Sequence, residues 1–120
     1  MSRLKALITG GAGFIGSHLV DSVMNKGWDI VVLDNLSSGS LKNIHKWLLN
    51  KKFKFVKGDL KNATDARKAV KDVKLVFHKA ANPEVRVGES HPSVHFEDNL
   101  LATFNLLEAM RKSKMAKTHL

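Results

Sequence analysis

The 120-residue chain has no cysteine and no tyrosine, only two prolines, and eleven acidic residues against twenty lysines and arginines. Each shortage excludes something. Without cysteine there is no disulfide framework, no thiolate metal site and no cysteine nucleophile. Without tyrosine no phenol is available as an acid or base. No apolar run exceeds five residues, far below the roughly twenty that span a bilayer. The start carries Arg3 and Lys5, but the apolar run behind them breaks at Thr9-Gly10-Gly11, so it lacks the unbroken core of a signal peptide. The expectation is a single soluble, cytoplasmic domain of ordinary composition.

The six histidines form no H-E-x-x-H pattern. His91 and His95 have i, i+4 spacing, but a pair without a third ligand does not make a metal site. The net charge of +9 raises the question of nucleic acid. The lysines are scattered from Lys26 to Lys74 rather than gathered on one element with interleaved aromatics, which reads as a solvated basic surface and keeps nucleic-acid binding a minor alternative.

What the chain does have is an alternation of strand and helix patterns. Leu4 to Thr9, Asp29 to Leu33, Phe53 to Val56 and Lys74 to His78 are short apolar or β-branched runs ending in turn residues, as buried strands are. Between them, helical spacing runs from Phe14 to about Lys26, where Gly27 stops it, and from Leu41 to Leu49. A short helix capped by Asn62 or Thr64 carries Ala66, Ala69 and Val70. Lys79 to Gly88 reads as a loop, and a long amphipathic helix runs from about Ser93 to near Lys112. This β-α order predicts an α/β fold, a Rossmann-like doubly wound parallel sheet of about four strands in the order 3-2-1-4. Residues Ser113 to Leu120 read as too polar and too short for a fifth buried strand. The fourth strand is then expected to be an open apolar edge, and a homo-oligomer is expected to cover it or the long helix.

Glycine is concentrated between the first strand and first helix, at positions 10, 11, 13 and 16. In the pattern Gly10-x-x-Gly13-x-x-Gly16, the first glycine allows the tight turn and the second lets a pyrophosphate approach the backbone. The third lets the helix pack close to the sheet, and the helix N-terminus offers N–H groups to phosphate. Asp34 ends the second strand, where a carboxylate accepts both hydroxyls of an adenosine ribose and repels a 2′-phosphate, favouring NAD over NADP. The plain alternative for Asp34 is a turn former before Asn35. Asp59, in Gly58-Asp59-Leu60 after the third strand, is placed for the adenine amino group, with Leu60 packing on the ring; its plain alternative is a turn or cap aspartate.

The stretches TGGAGFIGSHLVDSVMNKGWDIVVLDNLSSG, KGDL, VFHKAAN, VRVGES and NLLATFNLLEAMR, in this order, resemble the extended short-chain dehydrogenase/reductase family. Within it they resemble the NAD-dependent epimerase/dehydratase group, from Leu4 to about Lys112. The resemblance implies an NAD site. Gly10, Gly13, Phe14, Ile15 and Gly16 would line the pyrophosphate. Asp34, Asn35, Leu36, Ser37 and Ser38 would surround the adenosine ribose, and Asp59 and Leu60 would hold adenine. Lys79, Ala80 and Ala81 would run under the nicotinamide-side ribose, with Arg86 and Glu89 in the following stretch and Asn99 supporting the cofactor loop. It also implies nucleotide-sugar epimerisation, interconverting UDP-glucose and UDP-galactose through a transient 4-keto sugar.

That chemistry uses a tyrosine in Y-x-x-x-K, and this chain has no tyrosine. The expectation is therefore the N-terminal NAD-binding portion, residues 1–120, of such an enzyme, without catalytic residues and inactive alone. A truncated or frameshifted product, one half of a split enzyme and an independent module all fit. The competing readings are a non-catalytic dinucleotide-binding module and a fragment of another NAD-dependent sugar dehydratase or epimerase.

Overall fold

A computed structural model describes residues 4–37, 39–79, 92–113 and 117–119. The strands are β1 (Lys5–Thr9), β2 (Asp29–Asp34), β3 (Phe53–Lys57), β4 (Leu75–His78) and β5 (Lys117–His119). The helices are α1 (Phe14–Asn25), a 3₁₀ helix (Leu41–Trp47), α2 (Ala63–Ala69) and α3 (Pro92–Ser113). All strand pairs are parallel, and the sheet order is β3-β2-β1-β4-β5.

The alternation of side chains along a strand divides the core into two layers. Leu7, Val31, Leu33 and Val76 face one side and meet Val70, Leu106, Ala109 and Met110 from the α2–α3 layer. Ala6, Ile8, Ile30 and Val32 face the other and meet Val20, Val23, Met24 and Ile44 from α1 and the 3₁₀ helix. Leu7, Ile8 and Val32 are fully buried; burying a side chain of this kind contributes about 2 kcal/mol before entropy is charged against it. This two-sided burial is why β1 and β2 read as continuous apolar runs rather than as alternating ones.

The expected order 3-2-1-4 is present, and the sheet goes one strand further. β5 pairs with β4 through Leu75↔Lys117, Val76↔Thr118 and Phe77↔His119. The expectation that the chain's last residues form no strand, and that β4 is an open edge, is therefore corrected. Ladder pairing uses backbone N–H and C=O groups, so an edge strand does not need an apolar sequence; short, polar edge strands are common. The segment expected as a helix from Leu41 to Leu49 is a tighter 3₁₀ helix. Ile44 is fully buried and Trp47 and Leu48 pack beside it, while Leu41 and Leu49 are exposed, so contact with the core spans about one turn, a length that short 3₁₀ segments commonly serve. Asn62 caps α2, its Oδ1 accepting from the N–H groups of Thr64 and Asp65 at 2.9 and 3.2 Å. No helix among the described residues is long and apolar enough to cross a membrane.

Candidate functional site

The ends of β1, β2, β3 and β4 lie side by side, because Thr9 is in register with Leu33 and His78, and Asp34 with Lys57. In an open parallel sheet ligands bind outside this carboxyl edge, where connections leave in opposite directions. β1 is that switch point: its two neighbours are β2 and β4, and α1 and α2 lie on opposite faces.

The glycine loop leaves β1 through Gly10, whose φ of 72° is one that only glycine adopts freely. Its N–H donates to the Leu33 carbonyl at 2.9 Å and its carbonyl accepts from Gly13 N–H at 3.1 Å. A Cβ on Gly16 would stand 2.1 Å from the Gly10 oxygen and 2.9 Å from the Gly11 Cα. Gly16 thus lets α1 close against the loop. Close approach to the sheet, expected of Gly16, belongs instead to Gly11, where a Cβ would meet the Val32 methyls at 2.7 and 2.8 Å. A Cβ on Gly13 would meet only the Gly10 oxygen, at 3.3 Å, and is otherwise unobstructed. Gly13 is the N-cap of α1 and supplies no side-chain cap. The N–H groups of Phe14, Ile15 and Gly16 have no partner within the helix, as at any helix start. An open backbone with outward N–H groups and no Cβ is a fit for phosphate oxygens.

Asp34 is buried at the end of β2. Its Oδ2 accepts from Ala12 N–H at 3.0 Å and its Oδ1 from Leu36 N–H at 2.8 Å. The carboxylate therefore ties the glycine loop to the loop after β2. Leu36 is left-handed, with φ 63°, a conformation that costs a non-glycine residue on the order of 1 kcal/mol. The Asp34 bond helps hold it. Asn35 Oδ1 accepts from Ser37 N–H at 2.9 Å, completing the turn. Gly58 N–H donates to the Asp34 carbonyl at 3.2 Å and brings Asp59 to the same edge. Asp59 is half-buried; its Oδ1 accepts from Lys61 N–H and its own N–H donates to Asp65. The Leu60 side chain is buried in the α2–α3 core, and its carbonyl accepts from Asn105 Nδ2 at 2.7 Å.

Beyond β4, Lys79 N–H donates to Thr9 Oγ1 at 3.0 Å and to the Thr9 carbonyl at 3.1 Å. Asn99 lies half-buried on α3. Ser38, Ala80, Ala81, Arg86 and Glu89 lie outside the described residues. Gly10, Gly13, Phe14, Ile15, Gly16, Asp34 and Asp59 share the carboxyl edge of the sheet, as their positions at strand and helix ends require.

Several residues that the sequence reading did not single out hold this edge together. Ala12 is fully buried, and its carbonyl accepts from Ser40 N–H at 3.0 Å and from Asn43 Nδ2 at 2.7 Å. A Cβ on Gly39 would stand 2.8 Å from that carbonyl. Nothing in the local pattern marks Ala12 or Asn43, because their bond joins positions 31 residues apart. The other unmarked group joins β1, β4 and α3: His78 Nδ1 is 2.7 Å from Thr9 Oγ1, and Nε2 is 3.3 Å from Thr103 Oγ1. Burial holds the His78 pKa below its ordinary value, and the positive charge of Lys79 adds to the effect.

The chain matches the model of the NAD dependent epimerase/dehydratase family over residues 6–120. It is 42% identical over 112 residues to a protein of Methanocaldococcus jannaschii assigned as a UDP-glucose 4-epimerase, covering 92% of this chain and 35% of that protein. To the CDP-paratose 2-epimerase of Salmonella typhi it is 39% identical over 113 residues, covering 91% and 33%. Among solved structures, the Thermus thermophilus UDP-glucose 4-epimerase in complex with NAD superimposes with a TM-score of 0.83 at 38% identity, covering 96% of this chain and 36% of that one. The chain thus spans about a third of the length of the relatives it matches.

Proposed function

The chain belongs to the NAD dependent epimerase/dehydratase family, and on that premise we propose that it is the NAD-binding portion of a nucleotide-sugar epimerase acting on UDP-glucose and UDP-galactose. The observation that carries this reading is the junction of the glycine loop with Asp34. One buried carboxylate at the end of β2 is bonded to the loop that a pyrophosphate would occupy. That arrangement sets a phosphate subsite and a ribose subsite at a fixed separation along the carboxyl edge.

In this reading the outward N–H groups of Phe14 and Ile15 donate to the pyrophosphate, and Gly10, Gly13 and Gly16 keep side chains out of its path. The Asp34 carboxylate accepts from the adenosine ribose hydroxyls, with Asn35, Leu36, Ser37 and Ser38 as the residues that would surround the ribose. Its charge opposes a 2′-phosphate, so NAD is preferred over NADP. Asp59 accepts from the adenine amino group; the expected packing of Leu60 on the ring is corrected, because its side chain is buried in the α2–α3 core. Lys79, Ala80, Ala81 and Arg86 serve the nicotinamide end, and Asn99 supports that loop. NAD, when bound, supplies the hydride acceptor. With no tyrosine to take a proton from a sugar hydroxyl, the 120-residue chain does not turn over sugar by itself.

The expected homo-oligomer now rests on α3, where Leu100, Leu101, Phe104 and Leu107 are exposed, since β5 pairs with β4. Light scattering of the chain at micromolar concentration tests it; a strictly monomeric species removes it. A cytoplasmic location accompanies the reading.

Isothermal titration of the full 120-residue chain tests the function. The expected result is NAD binding at least about tenfold tighter than NADP, one bond's worth of selectivity, with no turnover of UDP-galactose. Absence of NAD binding would overturn the reading. Sugar turnover by the chain alone would overturn its catalytic part. NAD binding without activity even when a complementing C-terminal half is supplied would favour the non-catalytic module.

A further inference from the structure

The two peptide units that flank Ala12 are clamped from several directions. The Ala12 N–H donates to Asp34 Oδ2 at 3.0 Å. Its carbonyl takes two donors, Ser40 N–H and Asn43 Nδ2. The Gly13 N–H on the same peptide unit donates to the Gly10 carbonyl. Two of these partners reach in by a side chain from a separate element, Asp34 from the end of β2 and Asn43 from the 3₁₀ helix. That helix is itself fixed at three points. Ser40 Oγ caps it by accepting from Lys42 N–H at 3.2 Å, Ile44 is fully buried beneath it, and Trp47 Nε1 donates to Asp21 on α1 at 2.7 Å. Asn43 therefore projects from a held scaffold onto the one peptide whose plane sets the direction of the loop entering α1.

We infer that Asn43 is a positioning residue of the dinucleotide site: its amide holds the Ala12 carbonyl and thereby fixes the phosphate-binding loop relative to the Asp34 carboxylate. The inference rests on the reading of this edge as a dinucleotide site. A planar peptide with its carbonyl held turned away from the ligand side keeps the following N–H groups aimed outward. Without Asn43 that carbonyl keeps only the Ser40 N–H as donor, and the loop gains freedom about the Gly10 and Gly13 torsions, which glycine leaves soft. Asp34 keeps its second bond, to Leu36 N–H, so the ribose subsite is held independently of Asn43. The phosphate subsite depends on Asn43 and the ribose subsite does not.

The test uses the full chain with Asn43→Asp, which replaces the donor by a carboxylate facing a carbonyl, and Asn43→Gln, which restores an amide. NMR titrations with ADP and with adenosine separate the two subsites. ADP affinity should fall at least about fivefold in Asn43→Asp, the equivalent of one net hydrogen bond. Adenosine affinity should stay within about twofold, and Asn43→Gln should recover part of the ADP loss. Amide hydrogen exchange without ligand provides a second readout: Gly13 should exchange faster in Asn43→Asp while Ile30, bonded to the Lys52 carbonyl, does not. Unchanged ADP affinity would overturn the inference. So would equal losses for ADP and adenosine with faster exchange at Ile30, the mark of general destabilisation. If the native chain bound neither ligand, the dinucleotide reading would fall, and Gly13 exchange would still decide whether Asn43 holds the loop.

Discussion

On the side of the sheet covered by α1 and the 3₁₀ helix, polar groups close on one another around Ala12; on the side covered by α2 and α3, a long helix is held mainly by its apolar face. In the first region Ala12, Asp34, Ser40 and Asn43 satisfy each other around the two peptide units that flank Ala12, and Asp34 is buried with its bonds made. In the second, α3 buries Leu106, Ala109 and Met110 but exposes Leu100, Leu101, Phe104 and Leu107. The first region is held by geometry, since small displacements break specific bonds. The second is held mainly by burial on one face of a helix, which tolerates adjustment. A ligand subsite needs the first kind of support, and it is there that the glycine loop lies.

The largest effect should come from the helix that relies on burial. Leu106→Ala removes a fully buried side chain and should cost about 3–4 kcal/mol in denaturant unfolding, whereas Leu107→Ala on the exposed face should cost less than about 0.5 kcal/mol. Similar values for the two would erase the distinction between the faces of α3. Gly16→Ala should cost about 2–3 kcal/mol and abolish NAD binding, because the new Cβ collides with the Gly10 carbonyl rather than with a side chain that can move. A stable variant that still bound NAD would break the claim that geometry governs the first region.

Asp34→Ala leaves the Ala12 and Leu36 N–H groups without their acceptor and should cost about 1–2 kcal/mol, with the preference for NAD over NADP lost as well. A smaller, pH-dependent effect should come from His78, which joins β1, β4 and α3. Its pKa is lowered in the folded chain, so the unfolded chain takes up the proton first, near the ordinary value of 6.5. Stability is therefore full above that value and is lost as pH falls below it toward the lowered folded value. His78→Gln should flatten that part of the pH profile of the thermal midpoint; an unchanged profile would mean that another group controls it. The smallest effect should be at the Glu108–Arg111 pair on the surface of α3, at 3.0 Å. Arg111→Ala should move the midpoint by no more than about 1 °C, since exposed ion pairs contribute little.

How far the fold could be read from sequence follows the same division. β1 to β4, α1, α2 and α3 were legible because apolar periodicity, Gly27 after α1 and the Asn62 cap are local signals, set within a few residues. β5 was not, because a three-residue edge strand is made by the backbone of its neighbour and carries no side-chain pattern. The 3₁₀ helix was misread as a regular one because apolar spacing does not tell which of Leu41, Ile44 and Leu49 finds a core to enter. In the candidate site, Gly10 and Asp34 announced themselves by position at strand ends. Gly11 did not, because its role is set by Val32 on the neighbouring strand.

By itself the sequence determined the alternation of strands and helices, the glycine turn leading into α1, the acidic end of β2 and the absence of any tyrosine, because each depends on residue type or short spacing. The tertiary structure alone decided that Ala12 is the shared anchor of loop and carboxylate, that Asn43 reaches it, that His78 lies between Thr9 and Thr103, and that β4 has a partner on its outer side. Each of these is a bond between residues distant in the chain, and only the packed sheet brings such groups within hydrogen-bonding distance.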